Sequence, residues 1–229
     1  MRKLTELSTL PEGSLSNLVQ TLEAEKNRRQ TEDRLRYFKP YPKQLEFLNA
    51  GATYRERLLM TCNRFGKTFC GGAEMAMHLT GLYPEWWRGR RFDKPVRAWA
   101  AGVTGETTRD VVQTMLIGSP HRRAEWGTGL IPKHCMGDVS MAHGTADLID
   151  TVSVLHVSGG YSTLQFKSYA SGREKWQGTA LEVLWCDEEP PMEIYSEGLT
   201  RTNETGGIVY ITFTPLQGVS EVVRRFLYD

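Results

Sequence analysis

Two short stretches of this chain hold residue types whose spacing could do chemistry. The first is Thr61-Cys62-Asn63-Arg64-Phe65-Gly66-Lys67-Thr68, directly after the apolar run Leu58-Leu59-Met60. The second is Val183-Leu184-Trp185-Cys186-Asp187-Glu188-Glu189, far along the chain. A bound triphosphate calls for a concave array of backbone N–H groups, a cation and a Mg²⁺ ligand, all at a helix N-terminus. The usual spacing is G-x-x-x-x-G-K-[ST] between a strand and a helix. Gly66, Lys67 and Thr68 fill its last three places, and Thr61 stands where the first glycine is usual. On this reading Gly66 lets the backbone approach the phosphates. Lys67 bridges the β and γ phosphates, and the Thr68 hydroxyl binds Mg²⁺. Asn63 and Arg64 lie inside the loop, where the Arg64 guanidinium can offset transition-state charge in cis.

The second stretch supplies carboxylates. An almost wholly apolar run from 181 to 186 suits a strand of a parallel sheet buried on both faces. Asp187 then falls at the strand's carboxyl end, where open α/β sheets place their ligands, and is the second Mg²⁺ residue. Glu188 polarises the attacking water. Glu189 is left to cap the next helix. Together the two stretches describe ATP and Mg²⁺ as cofactors and hydrolysis to ADP and phosphate as the reaction.

The elements that must hold these residues are legible around them. Residues 57–60 read as a short buried strand and 68–80 as a helix, with Gly71 and Gly72 allowing close packing in its first turn. Residues 95–103 read as a strand and 106–117 as a helix. A stretch from 118 to 150 reads as irregular. Residues 151–157 and 162–168 form a hairpin around Ser158-Gly159-Gly160-Tyr161. A basic loop, 172–178, precedes the Asp187 strand. Pro190-Pro191 opens a helix, and 207–213 is a further buried strand. At the N-terminus, 14–38 reads as amphipathic helix with a thin stripe of Leu15, Leu18, Leu22 and Leu35, suited to the core's edge or to another subunit. Residues 43–50 form a short helix ended by Gly51. The fold class is therefore α/β, a RecA-like P-loop NTPase of the ASCE type. Its mostly parallel central sheet is flanked by helices, with a helical extension at 1–38 and the ATPase domain at 39–229.

With 229 residues, 40% hydrophobic and 24% charged, the chain suits one such domain. No apolar stretch reaches the roughly 18 residues of a membrane span. Four scattered cysteines fit a reducing compartment. A net charge of +1 gives no global case for nucleic acid, so any such contact must be local. The local candidates are 88–94 (RGRRFDK) and the pair Arg122-Arg123.

The combination of Tyr41-Pro42-Lys43-Gln44, NRFGKT, WCDEEPPMEIYSEGLTRTN and TFTPLQG resembles the ATPase domain of large terminase subunits, the DNA-packaging motors of tailed bacteriophages. It most resembles those of short-tailed, headful-packaging phages, over residues 35–229. The resemblance implies an ATP-hydrolysing domain that drives double-stranded DNA into a procapsid. It implies a portal protein, a small terminase subunit and a homo-oligomeric ring as partners, a monomer in isolation, and no membrane. It places the protein in the host cytoplasm, transiently at the portal vertex. It assigns Gln44 to reading adenine and Tyr41 to stacking on it. Thr212 and Thr214, in TFTP, fall in the motif that senses the γ-phosphate and couples hydrolysis to DNA grip. Many relatives carry an arginine finger where Gln177 stands. Arg173 is the favoured substitute and Arg201 the other. The nuclease domain of such subunits is not expected here, nor is nuclease activity. A two-domain helicase would need a second RecA-like domain. A switch or assembly ATPase that does not act on DNA, and a docking module that only binds ATP, are the other readings.

Overall fold

The computed structural model describes residues 12–62, 64–215, 218 and 220–228. Its strands are β1 (Glu56–Met60), β2 (Arg97–Gly102), β3 (Met136–Met141), β4 (Ile149–Leu155), β5 (Tyr161–Ser168), β6 (Val183–Asp187) and β7 (Ile208–Phe213). They form one sheet in the order β1-β7-β6-β2-β5-β4-β3. The first five strands of that order pair in parallel, and β4 and β3 add an antiparallel flank. Every residue of β6 and β7 is buried, as a two-sided parallel strand requires.

The helices are α1 (Glu12–Glu32), α2 (Pro42–Ala50), α3 (Lys67–Thr80), a helical stretch over 105–117 (α4), α5 (Met192–Asn203) and α6 (Glu221–Tyr228). The middle of α4, Thr108–Gln113, is wound as π-helix. One core lies between α3 and the sheet, with Met75, Trp185 and Tyr210 at its centre. A second lies under α5 and α6, where Ile194, Tyr195, Val222 and Val223 meet Leu184, Cys186, Val209 and Ile211. Gly71 is essential to the first, because a Cβ there would stand 2.6 Å from Trp185 Nε1. That close approach brings the start of α3 down onto β6 and β7.

Three expectations change. The stretch 118–150 is not wholly irregular, since it contains β3. The sequence of β3, Met-Gly-Asp-Val-Ser-Met, has no apolar alternation because neither face is deeply buried. β1 is an edge strand among the described residues, and its buried residue is Arg57 rather than a leucine. Gly51 ends α2 as expected, with a right-handed φ of −62°. It is small because a Cβ would lie 2.9 Å from Arg57 Cζ. Finally, Leu18 and Leu22 of α1 are exposed and do not seat on the core, whereas Leu35, in the 3₁₀ turn Arg34–Tyr37, does. The side chain of Leu15 lies outside the described residues.

Candidate functional site

The phosphate loop runs from the end of β1 to the start of α3. Thr61 N donates to the Phe213 carbonyl, tying the loop's first residue to β7. Arg64 and Gly66 both have φ of 68°, in the left-handed region. For an arginine this costs on the order of 1–3 kcal/mol, and such strain gathers where the backbone must turn its N–H groups toward a ligand. Lys67 is buried, and its Nζ donates to the Cys62 carbonyl at 2.9 Å, so the ammonium stays within the loop. Asn63 lies outside the described residues.

Thr68 opens the first turn of α3 beside Asp187, the last residue of β6. The Thr68 hydroxyl donates to Asp187 Oδ1 at 3.0 Å and lies 3.3 Å from Oδ2. The Thr212 hydroxyl donates to the same Oδ1 at 2.8 Å, and Trp185 Nε1 donates to the Thr212 oxygen at 2.8 Å. Burial pushes the Asp187 carboxyl up to about 6, although both hydroxyls pull it down. The donor set of one hydroxyl and one carboxylate at a helix N-terminus fits Mg²⁺, a hard ion that prefers oxygen and keeps most of its waters.

Glu188 has φ of 66°, the third described non-glycine residue with positive φ. Its N–H donates to the Thr212 carbonyl at 2.8 Å, so it leaves the sheet only after β7 has held its amide. Thr214 N lies 3.5 Å from Glu188 Oε2. The segment expected to couple hydrolysis to movement therefore touches both carboxylates, Thr212 on Asp187 and Thr214 on Glu188. Residues 216 and 217 of that motif lie outside the described residues. Glu189 does not cap α5. It accepts from the hydroxyl of Ser220, which precedes α6.

Gln44 is placed against the loop itself. Its Nε2 donates to the Phe65 and Gly66 carbonyls at 3.1 Å each, and its Oε1 accepts from Tyr41 N at 3.0 Å. Both ends of the amide are in use, so an adenine contact must be exchanged for these bonds. Tyr41 is exposed, and with Gln44 it lines two clefts on either side of Gly66 and Phe65.

Arg173 and Arg201 meet on one carboxylate. Arg173 Nε donates to Glu197 Oε2 and Arg201 Nη2 pairs with Glu197 Oε1, both at 2.9 Å. Sequence reasoning missed Glu197, which sits on α5 between two arginines that are distant from each other in sequence. It also missed Tyr169, whose hydroxyl sits against the carbonyls of Asp187 and Glu188. The basic stretch 88–94 joins the end of α3 to the start of β2. It thus lies at the opposite end of the sheet from the phosphate loop. There Arg90 and Arg91 stack on Phe92 and Tyr83, 5.3 and 5.2 Å from the ring centres. Arg122 pairs with Glu125 and Arg123 lies over Trp126.

A parallel sheet, a phosphate loop at the head of α3 and an acidic strand end facing it define a RecA-like P-loop fold. The sequence matches the family "Terminase large subunit, T4likevirus-type, N-terminal" over residues 58–229, and the chain belongs to the terminase large-subunit family. It is 42% identical to the large terminase subunit of Salmonella phage P22, covering 96% of this chain and 48% of that protein. It is 29% identical to the large terminase subunit of Enterobacteria phage LP7, covering 96% and 49%. The chain thus spans about half the length of these relatives. Among solved structures it is similar in fold to the large terminase of the thermophilic bacteriophage D6E in complex with ADP. That match has a TM-score of 0.50 and 16% identity, over 76% of this chain and 38% of the other.

Proposed function

We propose that this chain is the ATP-hydrolysing motor domain of a DNA-packaging terminase, driving double-stranded DNA into a procapsid. The observation that carries the reading is the bond between the Thr68 hydroxyl and the Asp187 carboxylate at 3.0 Å. Two segments from opposite parts of the chain supply a metal-binding pair at the head of a helix. In this reading Lys67 neutralises the β and γ phosphates, and Arg64 reaches the γ-phosphate from the same subunit. Thr68 and Asp187 would hold Mg²⁺, whose chemistry is to neutralise phosphate charge. Glu188 accepts a proton from the attacking water, and its strained backbone aims the carboxylate away from the strand axis. Thr212 and Thr214 register the state of those carboxylates and pass it to the rest of the molecule. Residues 39–229 are the motor domain in this reading and 1–38 its helical extension. The partners are double-stranded DNA, a portal protein, a small terminase subunit and further copies of the chain in a ring. The domain alone is a monomer.

The test is ATP turnover with and without duplex DNA. The wild-type chain hydrolyses ATP, and DNA raises the rate. Lys67→Ala abolishes turnover and weakens nucleotide binding. Glu188→Gln keeps binding and loses about 10² to 10⁴ in rate, the usual worth of such a base. Near-normal turnover by Lys67→Ala would end the phosphate-loop assignment, and a rate indifferent to DNA would end the packaging reading.

A further inference from the structure

We propose that Tyr169 is a positioning residue for hydrolysis, holding the Asp187–Glu188 backbone so that the Glu188 carboxylate faces the phosphate site. The inference rests on the hydrolase reading above. Glu188 must keep a left-handed φ of 66°, which a glutamate does not adopt unaided. Two contacts hold it there. Its amide is fixed by the Thr212 carbonyl at 2.8 Å, on the β7 side. On the other side the Tyr169 hydroxyl lies 2.9 Å from the Glu188 carbonyl and 3.0 Å from the Asp187 carbonyl, sharing one proton between them. These carbonyls flank the turn at which the chain leaves β6. Without that donor, two carbonyls at the end of a buried strand would lose the hydroxyl that holds them.

The tyrosine is itself well held. It is 6% exposed and opens a 3₁₀ turn, Tyr169–Ser171, directly after β5. Trp176, fully buried, packs on its ring at 6.0 Å between centroids and on Trp99 at 5.6 Å, and donates to the Ser168 carbonyl. Ala170 N donates to the Val103 carbonyl, fixing the turn to the end of β2. Burial first, and the neighbouring acidic groups after it, hold the phenol protonated. The hydroxyl is thus kept as a donor to these carbonyls. In this proposal Tyr169 acts through the Glu188 backbone and not on the substrate.

Tyr169→Phe keeps the ring and its packing on Trp176 while removing the donor. We expect kcat for ATP hydrolysis to fall between about tenfold and a hundredfold, the usual cost of misplacing a reacting group by a fraction of an ångström. ATPγS affinity and Tm should stay near wild type, and affinity for ADP–aluminium fluoride should fall in step with kcat. In a Glu188→Gln background the same change should add no further loss. Amide exchange of Glu188, read by NMR, should quicken about tenfold, one hydrogen bond's worth of local opening. Equal kcat and equal exchange in Tyr169→Phe would overturn the proposal, as would a rise in KM with kcat unchanged. If the wild-type chain itself cleaves no ATP, the hydrolase reading fails, and the exchange measurement alone then decides whether Tyr169 holds the Glu188 peptide.

Discussion

Asp187 is the residue whose environment makes the sharpest demand. It is buried at the end of β6, accepts two hydroxyl bonds, and burial lifts its carboxyl to about 6 against an ordinary 3.8. A raised value means that the site holds a proton where a free aspartate would not. Binding a divalent cation must expel that proton. The sign follows: Mg²⁺ affinity is full above about 6 and falls as pH drops through it, by about tenfold per unit on the acid side. Isothermal titration of Mg²⁺ with ADP between pH 5 and 8 should show that break. Asp187→Asn should abolish it, and an unchanged affinity at pH 5 would contradict the assignment. Asp187, Glu188, Lys67 and Thr68 were legible in the sequence because each lies within a few residues of its motif neighbours. Tyr169 and Glu197 were not, since their partners are brought to them only by the sheet. The resemblance singled out Gln44, but not its bonds to the Phe65 and Gly66 carbonyls.

The helix α3 carries the phosphate loop, and a buried charged network fixes it to the sheet. Arg57 of β1 pairs with Glu74 of α3 at 3.2 Å through Nη1, donates to the Phe47 carbonyl of α2, and stacks on Phe47 and Tyr210. His78, one turn on, lies 3.2 Å from Glu74 through Nε2 and 3.0 Å from the Tyr83 hydroxyl through Nδ1. Burial alone would raise the Glu74 carboxyl, but Arg57 and His78 more than offset it and hold it below its ordinary range. Burial holds His78 neutral. Such a pair adds little over apolar packing, yet breaking it strands a charge. Glu74→Gln should therefore cost about 3–5 kcal/mol, read by urea denaturation, with α3 and the loop loosened together. A loss below about 1 kcal/mol would show that Arg57 finds another partner. From the sequence, 57–60 read as a short buried strand, and the partner of Arg57 was not legible. A buried arginine declares itself only when its distant carboxylate is seen. The strands β6 and β7 were legible because full burial writes itself as an unbroken apolar run. β3 was not, because a half-exposed flank writes no pattern.

At the scale of the whole molecule the proposed ring asks which arginine would complete a neighbouring site. Arg201 shares the Glu197 carboxylate with Arg173, but its side chain is only 24% exposed. Arg173 follows the carboxyl end of β5, the same end as Asp187, and is 59% exposed at its side chain. Among the described residues Arg173 pairs with Glu197, which Arg201 also neutralises, so Arg173 can leave without stranding that carboxylate. Arg173→Ala should then change the domain's stability by less than about 1 kcal/mol, because Arg173 is exposed and Arg201 still neutralises Glu197. Its effect should fall on assembly. A trans arginine is worth about 10³ to 10⁵ in rate in comparable NTPases. Turnover per wild-type subunit should rise with protein concentration, or when a portal protein imposes a ring. Arg173→Ala should erase that rise with ATP affinity unchanged in the monomer. Mixing Arg173→Ala with Glu188→Gln gives the sharper measurement. Interfaces where an intact Glu188 meets an intact Arg173 should recover activity, to a level set by the mixing ratio. No recovery in confirmed mixed assemblies would place the finger in cis, at Arg64, or return the role to Arg201.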